Sequence, residues 1–109
     1  MATYDASILT YDDVLDIARS YAAYTQKYMR VQDAFLFGSY VNGIPDADSD
    51  IDVAIVSSDF TGNPVEDLFR LLKYRRAIDG RIEPHAFRMQ SSQSNPFLTE
   101  IRRIGVSVL

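Results

Sequence analysis

Phe35-Leu36-Phe37-Gly38-Ser39-Tyr40-Val41-Asn42-Gly43-Ile44-Pro45-Asp46-Ala47-Asp48-Ser49-Asp50-Ile51-Asp52-Val53-Ala54-Ile55-Val56 is the stretch that decides how this chain folds. An apolar run stops at Gly38-Ser39. Ten acidic, loop-like residues follow, and Asp50-Ile51-Asp52 then opens a second apolar run. Side chains at i and i+2 of a strand share a face, so Asp50 and Asp52 are expected side by side, about 6–7 Å apart at their backbones. Two adjacent carboxylates repel unless a counter-charge joins them. A divalent cation is one natural answer, because Mg²⁺ takes hard oxygen ligands and is often held by one or two carboxylates plus substrate phosphates. At the other end of the stretch, Gly38 permits close backbone approach. Ser39 adds a hydroxyl and, if a helical turn starts there, sits among free N–H groups that suit an anion. A phosphate cradle facing a metal-binding carboxylate pair is what phosphoryl-type transfer requires: positioning and charge neutralisation.

Working outward, Asp33–Phe37 reads as a first strand and residues 50–56 as a second. Gly38-Ser39 closes the first and Asp50 and Asp52 open the second, so the two must run antiparallel to meet one ligand. Asn42-Gly43 and Ile44-Pro45 are turn signals. Asp46 and Asp48 read as solvated loop charges. Upstream, Thr10-Tyr11-Asp12-Asp13 is a helix start with Thr10 as N-cap. Val14, Ile17, Ala18, Tyr21, Thr25 and Tyr28 then keep helical spacing to about Met29. The tyrosines of this helix read as core and rim packing, with a partner-binding face as the alternative.

Downstream, Asn63-Pro64 pairs an N-cap with proline at the first helical position. Val65, Leu68, Phe69 and Leu72 form the expected buried stripe, with Lys73, Arg75 and Arg76 toward the C-terminal end before Gly80. Residues 81–87 form an expected third strand, parallel to the second because a helix crosses between them. Its start then lies beside Asp50 and Asp52, which brings Glu83 to the site. Pro84 suggests an edge strand or a late strand start. His85, the only histidine, shares the face of Glu83; it reads as a structural, hydrogen-bonding residue or as one that orients Glu83 or touches a nucleotide. Ser91–Ser94 is a polar loop. Asn95-Pro96 starts a last helix with stripe Phe97, Leu98, Ile101 and Ile104, ending at Gly105. Residues 106–109 are an extended tail, suited to a sheet edge or an interface.

Composition sets outer limits. The chain has 109 residues, enough for one domain with a single core, since 47% are hydrophobic. A domain this small buries a modest share of its surface, so a partner would help it. The net charge of −4 argues against a broad nucleic-acid binder, which carries a basic face, but not against a nucleotide neutralised by Mg²⁺. Without cysteine, disulfides and thiolate zinc sites are excluded. No apolar run reaches the ~18–20 residues of a membrane span, and Met1-Ala2-Thr3-Tyr4-Asp5 lacks the basic start of a signal peptide. The expectation is a soluble, cytoplasmic, membrane-free protein.

The arrangement of Gly38-Ser39, ten residues, then Asp50-x-Asp52, each part attached to an apolar strand, resembles the signature of the polymerase-β-like nucleotidyltransferase superfamily. At this length the chain looks like the minimal nucleotidyltransferases found beside HEPN-domain proteins, with the likeness running from about Val31 to Phe87. The resemblance implies an α+β fold: a small mixed sheet flanked by helices, with residues 1–109 as a single nucleotidyltransferase domain. It implies that Asp50 and Asp52 hold Mg²⁺ against the triphosphate of ATP, and that Gly38 and Ser39 seat the outer phosphates. Glu83 matches the place of the third catalytic carboxylate, where many members carry aspartate. With Asp52 it would bind a second Mg²⁺ and help deprotonate the attacking hydroxyl. The implied partner is a HEPN-type toxin, neutralised either by complex formation or by transfer of AMP to a tyrosine. Two alternatives stand beside that enzyme: a binding antitoxin with a residual nucleotide pocket, and nucleotidyl transfer to a small molecule.

Overall fold

A computed structural model describes residues 8–109. The N-terminal residues used to exclude a signal peptide lie outside the described part. The elements follow in the order α1 (Tyr11–Gln26), β1 (Asp33–Phe37), α2 (Ser39–Asn42), β2 (Ile51–Ser57), α3 (Pro64–Arg75), β3 (Ile82–Arg88), a 3₁₀ segment (Met89–Ser94), α4 (Pro96–Ile104) and β4 (Val106–Ser107). The four strands make one mixed sheet in the order β3-β2-β1-β4. β1 is antiparallel to β2 and to β4, while β2 and β3 are parallel. This is the α+β architecture expected from the sequence, including the antiparallel first pair, the parallel third strand and Pro84 on an edge strand.

Period-two alternation divides the core between the two faces of the sheet. Leu36, Ile51, Val53 and Ile55 join Val14, Ala18 and Tyr21 of α1 and Leu71 of α3 on one face. Phe35, Phe37, Ala54, Val56 and Phe87 join Leu98 and Ile101 of α4 on the other. Each fully buried aliphatic side chain contributes about 1.5–3 kcal/mol, so β2, whose apolar residues are all buried, anchors the fold. Thr10 closes a capping box with Asp13, and Asn63 and Asn95 each accept two N–H bonds at the starts of α3 and α4. Tyr21 is fully buried, and its hydroxyl donates to the Leu71 carbonyl at 2.7 Å, tying α1 to α3. Burial pushes its phenol above the usual range. Tyr21→Phe is expected to lower stability by about 1 kcal/mol, read as a shift of the urea midpoint with an unchanged slope.

Some expectations need correction. α1 stops at Gln26, short of Met29, and the polar stretch at residues 91–94 belongs to the 3₁₀ segment. β2 begins at Ile51, so Asp50 precedes the strand. The largest difference concerns α3. Val65 and Phe69 are 62% and 66% exposed, and Leu68 is exposed as well. The inward face carries Asp67 and Leu71 instead. Asp67 faces inward because its carboxylate has backbone work there: it accepts the Thr61 and Gly62 N–H bonds at 2.9 and 3.0 Å. Likewise only Leu98 and Ile101 of the α4 stripe are buried, and Phe97 is exposed.

Candidate active site

The carboxylates meet at one end of the sheet, on the face that α4 covers farther along. Residue 52 falls on the same side of β2 as Ala54 and Val56, by strand alternation. Its register partners are Phe37 on β1 and Glu83 on β3. Antiparallel pairing on one side and parallel pairing on the other therefore place the end of β1 and the starts of β2 and β3 together. Gly38 follows Phe37 directly, and α2 begins at Ser39.

Gly38 adopts φ 87°, ψ −154°, a region that only glycine enters freely. A Cβ at this position would collide with Asp52 Oδ2. The missing side chain is thus what lets the Asp52 carboxylate lie against the backbone of the turn. The Gly38 carbonyl accepts the Val41 and Asn42 N–H groups at 3.0 and 2.9 Å, which holds the one-turn helix in place. The Ser39 hydroxyl has no partner among the described residues. In the connecting loop, Asp46 shapes the chain rather than a ligand site: its Oδ1 accepts from the Asp48 N–H and the Ser49 hydroxyl.

One carboxylate oxygen each from Asp52 and Glu83, with one ring nitrogen of His85, lie within 4.8 Å of one another. His85 Nε2 stands 3.1 Å from Asp52 Oδ1. Two ligands of one Mg²⁺ ion bound at ~2.1 Å sit ~3–4 Å apart, so the Asp52 and Glu83 oxygens fit a divalent cation after small side-chain movements, with His85 against Asp52 as its orienting partner. Asp50 is not part of this triad; it reaches the site through Glu83. A hydrogen bond shared with Asp50 is the largest cause that raises the Glu83 carboxyl above its ordinary value. Partial desolvation and the charge of Asp52 push the same way, while His85 opposes them. The side chains at positions 50, 52 and 83 thus make one crowded acidic group, in which a proton or a cation relieves repulsion.

Of the five residues singled out from the sequence, the structure brings Asp50, Asp52 and Glu83 together with Gly38, which lies against Asp52, and Ser39 follows Gly38 at the start of α2. The contact that the sequence did not disclose is that of His85 with Asp52. The spacing of Glu83 and His85 gave their common face, but the cross-strand neighbour depends on register. Phe37 holds the imidazole from the side at a ring separation of 4.9 Å. No helix among the described residues is long and apolar enough to cross a membrane.

Comparison with known proteins places this geometry. A candidate nucleotidyltransferase from Sulfolobus solfataricus superposes with a TM-score of 0.66 at 16% identity, covering 98% of this chain and 89% of that one. A mutant of the toxin–antitoxin complex MntA-HpeT gives a TM-score of 0.46 at 19% identity, covering 93% and 73%. No curated protein matches the chain in sequence. The model of the family described as "Polymerase beta, Nucleotidyltransferase" matches residues 20–108, which include every strand and the whole acidic group. The chain therefore belongs to the polymerase beta nucleotidyltransferase family.

Proposed function

We propose that this chain is a metal-dependent nucleotidyltransferase that moves AMP from ATP to a hydroxyl of a partner protein, a HEPN-type toxin, and so acts as an antitoxin. The observation that carries the reading is the convergence of Asp52, Glu83 and His85 beside the Gly38-Ser39 turn. In this reading residues 1–109 form one domain that works in the cytoplasm.

The roles follow from position. Gly38 and Ser39 close β1 and take the outer phosphates of ATP through backbone N–H groups and the free hydroxyl. Asp52 and Glu83, with Asp50 beside Glu83, would hold Mg²⁺, two ions in the full site. Metal held there would supply charge neutralisation for the triphosphate and the group transferred. Glu83, on the outer strand, accepts the proton of the acceptor hydroxyl. The acceptor oxygen forms its bond to the α-phosphorus, the bond from that phosphorus to the bridging oxygen breaks, and pyrophosphate leaves. His85 fixes the Asp52 carboxylate from the side away from Gly38. His85→Ala is expected to weaken divalent-metal binding about 10- to 100-fold, as loss of an orienting partner does. Titration calorimetry with Mg²⁺ and Mn²⁺ measures it.

The test of the function is the intact mass of the toxin after incubation with this chain, Mg²⁺ and ATP. A gain in steps of one AMP, absent without ATP, supports transfer. A stable complex with unchanged mass contradicts it and favours a second reading, neutralisation by binding alone. That reading draws on the exposed apolar face of α3. Under it, an Asp50→Asn, Asp52→Asn double variant neutralises the toxin as well as the parent chain does.

A further inference from the structure

Among the described residues the outer edge of β3 is open, because the strand order gives it a neighbour on one side only. In the parallel ladder with β2, the Ile51 N–H donates to the Arg81 carbonyl at 2.9 Å. That bond sets the phase. Glu83, His85 and Phe87 turn their backbone groups toward β2, whereas Pro84, Ala86 and Arg88 turn theirs outward. The outward groups of Ile82 are already used: its N–H by the Asp79 carbonyl and its carbonyl by Arg75 Nη1. Pro84 sits where a missing N–H does no harm. Among the described residues the Pro84 carbonyl, both Ala86 groups and the Arg88 N–H are left as a free strand edge.

A groove of about 930 Å³ runs along this edge. Leu68 and Leu72 of α3 form one wall, Phe97 the other, and Asp50 and Glu83 lie in its lining. The α3 row that the sequence pattern assigned to the core is thus partly the wall of this groove. Arg75 and Arg88 also line it, and neither has a carboxylate partner among the described residues. The groove adjoins the Glu83 side of the site. Gly38 and Ser39 follow the end of β1, two strands away, so phosphates seated there leave the β3 side to the acceptor.

Alternating backbone donors and acceptors between apolar walls are matched by one class of ligand, another extended peptide. Arg75 and Arg88 each donate to a backbone carbonyl, of Ile82 and Phe60, but meet no carboxylate among the described residues, so beyond the Asp50 and Glu83 end their charge favours acidic side chains in it. We propose that an extended apolar and acidic segment of the acceptor protein adds as a strand to the edge of β3 and so delivers its hydroxyl to Glu83. This inference rests on the reading that the acceptor is a protein.

The experiment uses the ¹⁵N-labelled chain and a synthetic peptide of alternating valine and glutamate around one tyrosine. Expected are saturable binding and slowed exchange of the Ala86 and Arg88 amides. Leu68→Glu, at an exposed position that does not threaten folding, weakens binding about tenfold or more, equivalent to about 1.4 kcal/mol. Ala86→Pro, which removes the outward N–H, does the same, and N-methylation of alternate peptide amides abolishes binding. Absent binding, binding indifferent to N-methylation, or Ala86 and Arg88 amides already protected by a second copy of the chain would each overturn the proposal. Peptide binding without AMP transfer to any protein sinks the proposed function and leaves the docking strand standing.

Discussion

Asp52→Asn is expected to lower AMP transfer by about 10³-fold or more while leaving the fold intact. Asp52 is the residue on which the site converges: it pairs in register with Phe37 and Glu83, lies against Gly38 and meets His85 at 3.1 Å. Asparagine keeps the shape but removes the charge, and it offers an N–H₂ group where a cation should sit. Losing one preorganised electrostatic contact to a transition state costs about 10²–10³ in rate. Loss of metal binding adds to that. The substitution also removes a negative charge from a crowded acidic group, so the metal-free variant should melt no lower than the parent chain. Mg²⁺ at 100 times its dissociation constant stabilises a protein by about 2.7 kcal/mol, and that increment should vanish in the variant. Rate and melting curves, with and without Mg²⁺, check both statements. Retained transfer would remove Asp52 from the mechanism.

The second large effect is expected at Gly38. Alanine there must hold a positive φ of 87° and place its Cβ into Asp52 Oδ2. Strain of this kind costs of order 1–3 kcal/mol, and the neighbour in the way is the carboxylate to which the proposed function assigns the metal. Gly38→Ala should therefore lower the melting temperature and reduce transfer together, with metal affinity falling because Asp52 is displaced. Gly80→Ala is the control: nothing lies within 4 Å of a Cβ built there, so stability and transfer should be nearly unchanged. A Gly38→Ala variant with normal activity would mean that Asp52 has room to move away at no loss.

The parts of the site that were legible in the sequence were those fixed by local rules. Apolar runs broken at Gly38-Ser39 and reopened at Asp50-Ile51-Asp52 gave two strands and their direction, and the crossover helix gave the third. What was not legible depended on non-local choices. α3 offers two apolar rows, and of the stronger, Val65-Leu68-Phe69-Leu72, the first three are left exposed and Leu72 is half-buried. The inward row includes Asp67, whose carboxylate ties down the Thr61-Gly62 turn, a bond that periodicity cannot register. The contact of His85 with Asp52 was hidden for a similar reason. His85 pairs in register with Ala54, and its ring reaches back along the strand to the aspartate. The start of β2 one residue late has a consequence too. It leaves Asp50 outside the ladder, where its effect on the site is to help raise the Glu83 carboxyl above its ordinary value.

The central claim is attack at the α-phosphorus of ATP by a hydroxyl of another protein. The measurement that tests it most directly follows two labelled forms of ATP incubated with the chain, Mg²⁺ and the toxin. Label at the α-phosphate should move to the toxin, and label at the γ-phosphate should leave as pyrophosphate. Label that moves from the γ-position, or that leaves as inorganic phosphate with none on the toxin, would contradict the account.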